Sequence, residues 1–151
     1  MHASKPMTRD VLVVPPELGL DVAHRIMRRR HIRHLPVVRG GQLVGILSDR
    51  DVLLRARQTD DGMLVVPTVA VATAMTPSPV TCEPSTEVTT IVRIMTERKF
   101  DALPVVSPSG ALVGLVTSTD LLLLLLDRDE AQALPFSYRV SEGTAEDAAD
   151  A

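Results

Sequence analysis

A shift of 68 positions lays residues 7–38 on residues 75–106 without a gap, and this internal repeat constrains the fold more than any other feature of the chain. Met7-Thr8 falls on Met75-Thr76, Arg25-Ile26-Met27 on Arg93-Ile94-Met95, Arg30 on Arg98, and Leu35-Pro36-Val37-Val38 on Leu103-Pro104-Val105-Val106. One extra residue enters the second copy ahead of Leu112. After it, Leu43-Val44-Gly45 falls on Leu112-Val113-Gly114, and Ser48-Asp49-Arg50-Asp51 on Thr117-Ser118-Thr119-Asp120. Two like-sized copies with the slack confined to one turn read as two copies of one supersecondary unit, packed on each other with clefts between them.

Each copy reads in the same order. A short apolar strand (11–14; 80–82) ends in a Pro-containing turn at Pro15-Pro16 or Pro84-Ser85. A helix follows at 20–30 and 86–99, with Val22, Ala23, Ile26 and Met27, then Val88, Ile91, Val92, Ile94 and Met95, at helical spacing. Two apolar strands come next, 35–38 with 43–47 and 103–106 with 112–116, each pair joined by a Gly-bearing turn as in a hairpin. A second helix starts after each Ser/Thr-x-x-Asp. The expected class is α+β: two β-α-β-β-α repeats forming a pseudo-two-fold pair. The boundaries are 1–58 for the first repeat, 59–74 for a linker, 75–130 for the second repeat and 131–151 for a C-terminal tail. Its small, acidic end from 141 onward reads as disordered.

The 151 residues suit one globular unit or two halves sharing a core, and with aromatics at only 2% that core must be aliphatic. A net charge of −3 gives no blanket reason to expect nucleic acid. The distribution is uneven: residues 1–68 carry 11 basic and 7 acidic side chains, whereas 69–151 carry 5 and 12. Cys82 is the single cysteine, which excludes an internal disulfide and suits a reducing cytosol. Residues 1–10 lack the apolar stretch of a secretion signal. The leucine run 121–126 is far shorter than the ~20 residues a membrane span needs.

A helix that begins at Ser48 or Thr117 presents unpaired backbone N–H groups and a positive dipole end. A first-turn carboxylate, Asp51 or Asp120, is able to accept two hydrogen bonds from adjacent hydroxyls such as those of a ribose. Gly45 and Gly114 on the preceding strands leave room for close backbone approach. A plainer reading makes Ser48 and Thr117 N-caps and the two aspartates dipole-friendly acids, and the readings are compatible.

The Met-Thr start, the Arg-His-Leu-Pro-Val-Val strand and the Gly-containing strand ending in Ser/Thr-x-x-Asp resemble cystathionine-β-synthase (CBS) domains, twice and in register over residues 6–128. A tandem pair of these domains is a Bateman module, and the short form is similar to small free-standing bacterial CBS-pair proteins, including the acetoin-utilisation type. The resemblance implies sensing of an adenosyl ligand: AMP, ADP, ATP or S-adenosylmethionine. It also implies that each site takes its ribose Asp from one repeat and its base wall and phosphate contacts from the other. Carried onto this chain, one cleft combines Thr117 and Asp120 with Leu12, Arg33, His34 and Pro36. The other combines Ser48 and Asp51 with Val80, Asp101, Ala102 and Pro104. Arg33 and His34 offer donors for phosphate, whereas Asp101 would repel one and Arg50 compensates only in part, so the Arg33 cleft is expected to be the stronger.

Arg28-Arg29-Arg30-His31 reads as a solvated helix C-terminus, with an extended phosphate seat or an RNA contact as the alternatives. His31 and His34 lack a third partner for a metal. Six consecutive leucines cover every face of a helix, and the side that the fold leaves bare calls for the C-terminal segment or a second subunit. The family's dimerisation through such helices agrees. No catalytic triad, P-loop or dinucleotide fingerprint is present. The sequence therefore points to a cytoplasmic, non-enzymatic regulator. It would bind an adenine nucleotide, need no cofactor or metal, form a homodimer and pass occupancy to an unidentified protein. A ligand-free scaffold is the alternative.

Overall fold

The computed structural model describes residues 1–126 and 139–149. The elements are β1 (Asp10–Val13), α1 (Leu20–Arg30), β2 (His34–Arg39), β3 (Gln42–Ser48), α2 (Asp49–Arg55), β4 (Arg57–Gln58), β5 (Leu64–Val65), β6 (Thr76–Pro77), α3 (Val88–Arg98), β7 (Ala102–Val106), β8 (Leu112–Thr117), α4 (Ser118–Leu126) and β9 (Arg139–Glu142), with 3-10 turns at Val71–Thr73 and Ala145–Ala148. The mixed class and the doubled order match the sequence expectation. The chain divides into two compact units that are not contiguous in sequence. One draws on Leu12–Pro79 and Glu142–Ala151, the other on Met1–Val11 and Val80–Ser141.

In the unit built on the first repeat, Leu20, Ala23, Ile26 and Met27 bury one stripe of α1 against Leu35, Val37 and Leu47 of the β2–β3 hairpin. Arg39 pairs with Gln42, so Gly40 and Gly41, at φ +55° and +77°, form a two-residue turn of the kind that needs left-handed backbone at both positions. Val14 adds a parallel bridge: its N–H donates to the Pro36 carbonyl (3.1 Å) and its carbonyl accepts from the Val38 N–H (3.0 Å).

The unit built on the second repeat reproduces this pattern. Ile91 and Met95 of α3 meet Leu103, Val105 and Val116 in its core. Cys82 stands where Val14 does, with its N–H donating to the Pro104 carbonyl (3.0 Å) and its carbonyl accepting from the Val106 N–H (2.8 Å). The expected strand at 80–82 is reduced to this one bridge, because a single residue rather than a run meets β7. Burial pushes the Cys82 thiol up to about 11, so it packs as a protonated apolar side chain.

What completes each hairpin comes from the segment that leads the other repeat. Thr76-Pro77 pairs with Ile46 and Gly45 of β3, and Thr8 forms the equivalent antiparallel bridge to Leu115 of β8. The same two segments satisfy the helix N-termini, since the Leu20 N–H donates to the Val69 carbonyl (2.8 Å) and the Val88 N–H to the Met1 carbonyl (2.7 Å). Gly19 and Glu87, the N-cap residues, supply no side-chain cap, so these backbone carbonyls do that work. Residues 1–11 and 69–79 are thus two equivalent straps, and neither repeat is completed by its own leading segment.

Several sequence expectations change. The room beside Gly45 and Gly114, read above as space for close backbone approach, is taken by the straps and their methionines. A Cβ on Gly45 would collide with the Met75 sulfur, and one on Gly114 would lie 2.7 Å from the Met7 sulfur and 3.1 Å from the Thr8 carbonyl oxygen. Residues 59–74, read as a linker, contain the turn and second strand of the β4–β5 hairpin and the core residue Val71. The end read as a loose tail instead forms part of β9 and a capped 3-10 turn with Ala148 buried. That composition lacks apolar period, but the arginines of α1 hold it. Residues 127–138 of the expected second repeat and tail lie outside the described residues.

Gly114→Val should destabilise the protein by about 1–3 kcal/mol, as overpacking does. Met7→Ala in the same chain should recover part of the loss, because the two sites touch. Chemical denaturation of both variants and the double variant measures this.

Candidate ligand site

The β-to-α turn in each unit is held by its own Ser/Thr-x-x-Asp. In the first-repeat unit the Ser48 hydroxyl accepts the Asp51 N–H (3.1 Å) and the Asp51 Oδ2 accepts the Ser48 N–H (2.8 Å), a full capping box. In the second-repeat unit the Thr117 hydroxyl accepts the Asp120 N–H (3.2 Å), and the Asp120 Oδ2 accepts from the Thr117 N–H (2.8 Å) and hydroxyl (2.9 Å). Capping therefore occupies Oδ2 of each aspartate and takes no part in Oδ1. All four residues are half-buried, so the turns still reach solvent.

A third copy of the pattern shows what the spare oxygen does. Thr144 caps the 3-10 turn Ala145–Ala148 with Asp147 as its partner. Asp147 Oδ2 accepts the Thr144 N–H (2.8 Å), while Oδ1 accepts from the Arg30 guanidinium (2.5 Å). A capping-box carboxylate thus serves its own helix and a second donor together. The Thr144 backbone N–H first, and then Arg30, hold the Asp147 carboxyl below the usual carboxylate range.

The register places other candidates beside these turns. His34 pairs with Ser48 across the β2–β3 hairpin, and the Arg33 carbonyl accepts the Asp49 N–H (2.9 Å). Arg33 and His34 therefore lie at the same edge as Ser48 and Asp51. In the other unit Ala102 pairs with Thr117, and the Asp101 carbonyl accepts the Ser118 N–H (2.9 Å). Within each unit, therefore, a guanidinium and an imidazole flank the Ser48–Asp51 turn, and a carboxylate and a methyl group the Thr117–Asp120 turn. Arg33 and Arg50 are exposed, Leu12 is half-buried against the first-repeat core, Pro36, Ala102 and Pro104 are buried, and Val80 is exposed.

One residue near the aspartates escaped the sequence reading. The Thr8 hydroxyl lies 3.4 Å from Asp120 Oδ2 and so brings the strap to the edge of the signature. The doubled Met-Thr was its only sequence signal. Among the described residues, no group of three or more His, Cys, Asp or Glu side chains is placed to hold a metal, and no helix is long and apolar enough to cross a membrane.

The CBS domain family model matches residues 7–57 and 71–127. The CBS domain-containing protein YhcV of Bacillus subtilis is 30% identical over 126 residues, which cover 83% of this chain and 86% of that protein. The inosine-5'-monophosphate dehydrogenase of Korarchaeum cryptofilum is 38% identical over 94% of this chain, which spans only 26% of that enzyme's length. Among solved structures, CBSX2 in complex with AMP has 28% identity and a TM-score of 0.73, covering 83% of this chain and 96% of that one. The cytosolic domain of the Mg2+ channel MgtE, in complex with ATP, has 31% identity and a TM-score of 0.64, covering 78% of this chain and 46% of that one. Two capped Ser/Thr-x-x-Asp turns, the strap on each Gly-bearing strand and the doubled family match place the chain in the CBS-domain family, as a protein with two CBS domains.

Proposed function

We propose that the protein is a regulatory module that binds an adenine nucleotide through its Ser/Thr-x-x-Asp turns and passes occupancy to a partner protein. The observation that carries this is the doubled capping box, with one oxygen of each aspartate outside the cap, in a chain similar to a CBS-pair structure solved with AMP. A ribose presents adjacent hydroxyls, which match an acceptor already oriented by its helix. The reading is non-catalytic and cytoplasmic. The similar dehydrogenase carries about four times this length, and its chemistry is not assigned to this chain.

In this reading Thr117 and Asp120 hold the ribose, Arg33 and His34 take the phosphate, and Leu12 and Pro36 wall the base. Ser48, Arg50 and Asp51 form the weaker set with Val80, Ala102 and Pro104. A specific observation favours a second reading. Arg33 and His34 share one edge of one unit with Ser48 and Asp51, so the strong site could equally take Asp51 as its ribose acceptor. A homodimer through the leucine helix belongs to the proposal as well. None of the residues of α4 is fully buried, and Leu122 and Leu126 are 64% and 77% exposed. Apolar surface of that size on neighbouring turns gains free energy when a second copy covers it.

Thermal shift should rank adenine nucleotides above guanine and pyrimidine nucleotides. A hundred-fold excess over Kd contributes about 2.7 kcal/mol, enough for a clear rise in Tm. A flat response would leave the ligand-free scaffold. Arg33→Ala should weaken nucleotide binding by roughly 1.5–3 kcal/mol, about ten-fold or more. Calorimetry on Asp120→Asn and Asp51→Asn then decides between the readings: the larger loss identifies the ribose acceptor, and the account above puts it at Asp120. Light scattering at micromolar concentration should show a dimer that Leu122→Glu with Leu126→Glu converts to monomer or aggregate; a monomeric parent chain removes the dimer.

A further inference from the structure

The C-terminal segment ends against the most basic stretch of the protein. The Arg29 guanidinium donates to the Glu146 carbonyl (2.7 Å), and that of Arg30 to Asp147 Oδ1 (2.5 Å). Between these polar contacts the segment is seated by small residues. Ala148 is 6% exposed, and Gly143 leaves no space for a side chain, since a Cβ there would meet Val14 Cγ1 at 3.2 Å and Ile26 Cδ1 at 3.3 Å. The Thr144–Asp147 capping box shapes the turn before it meets the helix.

Two features make this contact easy to open. The Arg30 side chain is 52% exposed, where ion pairs hold weakly and salt screens them. Beyond the backbone bond from the Gly143 N–H to the Val13 carbonyl (2.5 Å), the segment's apolar anchor is a single alanine, and segments with few buried contacts open ahead of the fold as a whole. Beneath it, Arg28, Arg29 and Arg30 occupy the last turn of α1, and Arg33 follows after the left-handed His31 and then Ile32. The side chains of Arg28 and Arg33 have no hydrogen bond or ion pair among the described residues.

We propose that residues 142–149 are an autoinhibitory clasp that covers an oligophosphate-binding surface formed by Arg28, Arg29 and Arg30. The clasp sets a carboxylate and a carbonyl where phosphate oxygens would lie, so the ligand must displace it. The footprint favours a compact oligophosphate over nucleic acid. It is one helical turn long, and residues 12–79 contain no Phe, Tyr or Trp on which bases would stack. The phosphates arrive either as a free oligophosphate or as the tail of a nucleoside triphosphate. The inference does not depend on the nucleotide reading above.

The test uses sodium tripolyphosphate, ATP, AMP and a 12-residue RNA on the full chain, on Asp147→Asn and on Asp147→Asn with Arg29→Ala and Arg30→Ala. Asp147→Asn keeps a capping side chain and removes the charge held by Arg30; circular dichroism checks that each variant is folded. Tripolyphosphate and ATP should bind Asp147→Asn about ten-fold more tightly than the parent, the size of one charge-assisted contact, and the arginine variant should lose the gain. In the parent chain, tripolyphosphate should speed amide exchange at 143–149, because ligand and clasp compete reciprocally. If tripolyphosphate alone shows the effect, the source is a free oligophosphate; if ATP matches it and AMP does not, the triphosphate tail suffices. Equal affinities for parent and Asp147→Asn would overturn the clasp, as would unchanged exchange at 143–149 or binding of the RNA alone. A Tm rise with AMP beside an inert tripolyphosphate would remove this inference and leave the nucleotide reading standing.

Discussion

The packing of a strap methionine onto a strand glycine is the contact on which each unit depends. Met75 occupies the space a side chain at Gly45 would need, and Met7 does the same at Gly114. The contact draws a third strand segment onto each hairpin and brings a backbone carbonyl to the exposed N–H groups of α1 and α3. Methionine suits this position because its unbranched thioether adapts to the flat face a glycine leaves. A side chain on the glycine would push the strap away and expose both the strand edge and the helix terminus. Each strap precedes the repeat it does not complete, so each unit draws on two separate stretches of the chain.

The same economy marks the Ser/Thr-x-x-Asp turns. Each signature aspartate already satisfies a helix N-terminus through Oδ2, which fixes its rotamer before any ligand arrives. Preorganisation of this kind lowers the ordering cost of binding. Asp147 shows within this protein that the arrangement tolerates an additional partner, since it caps with one oxygen and receives Arg30 with the other. On the proposed reading, the cap and the ligand contact would use the two oxygens of one carboxylate.

Much of this was legible in the sequence because side-chain pattern and structure share a period. α1 spans Leu20–Arg30 as the spacing of Ala23, Ile26 and Met27 predicts, and both hairpins fall within a residue or two of their apolar runs. The swap of straps was not legible. Its key contacts are backbone carbonyls of Met1 and Val69, which any residue type supplies and which leave no motif. The doubled Met and Gly were both visible, but sequence alone does not say which Met fills which Gly. The docked C-terminus was missed for a related reason: its anchors are a glycine, an alanine and one aspartate, which carry little hydrophobic signal, and their partners on α1 lie more than a hundred positions away. In the candidate site, residue types and the contrast of Arg33 with Asp101 were plain, whereas the hydrogen-bond role of each aspartate oxygen needed coordinates.

The central claim is that the signature aspartates cap their helices and hold a ligand at once. Nuclear magnetic resonance on the full chain, titrated with AMP, tests it most directly by following the carboxyl carbons of Asp51 and Asp120 together with their own amide protons. The account predicts that at least one of the two carboxyl resonances moves with saturation while both amides stay protected, the caps intact. Carboxyl resonances that stay still at saturating AMP, or cap amides that lose protection as AMP binds, would contradict it.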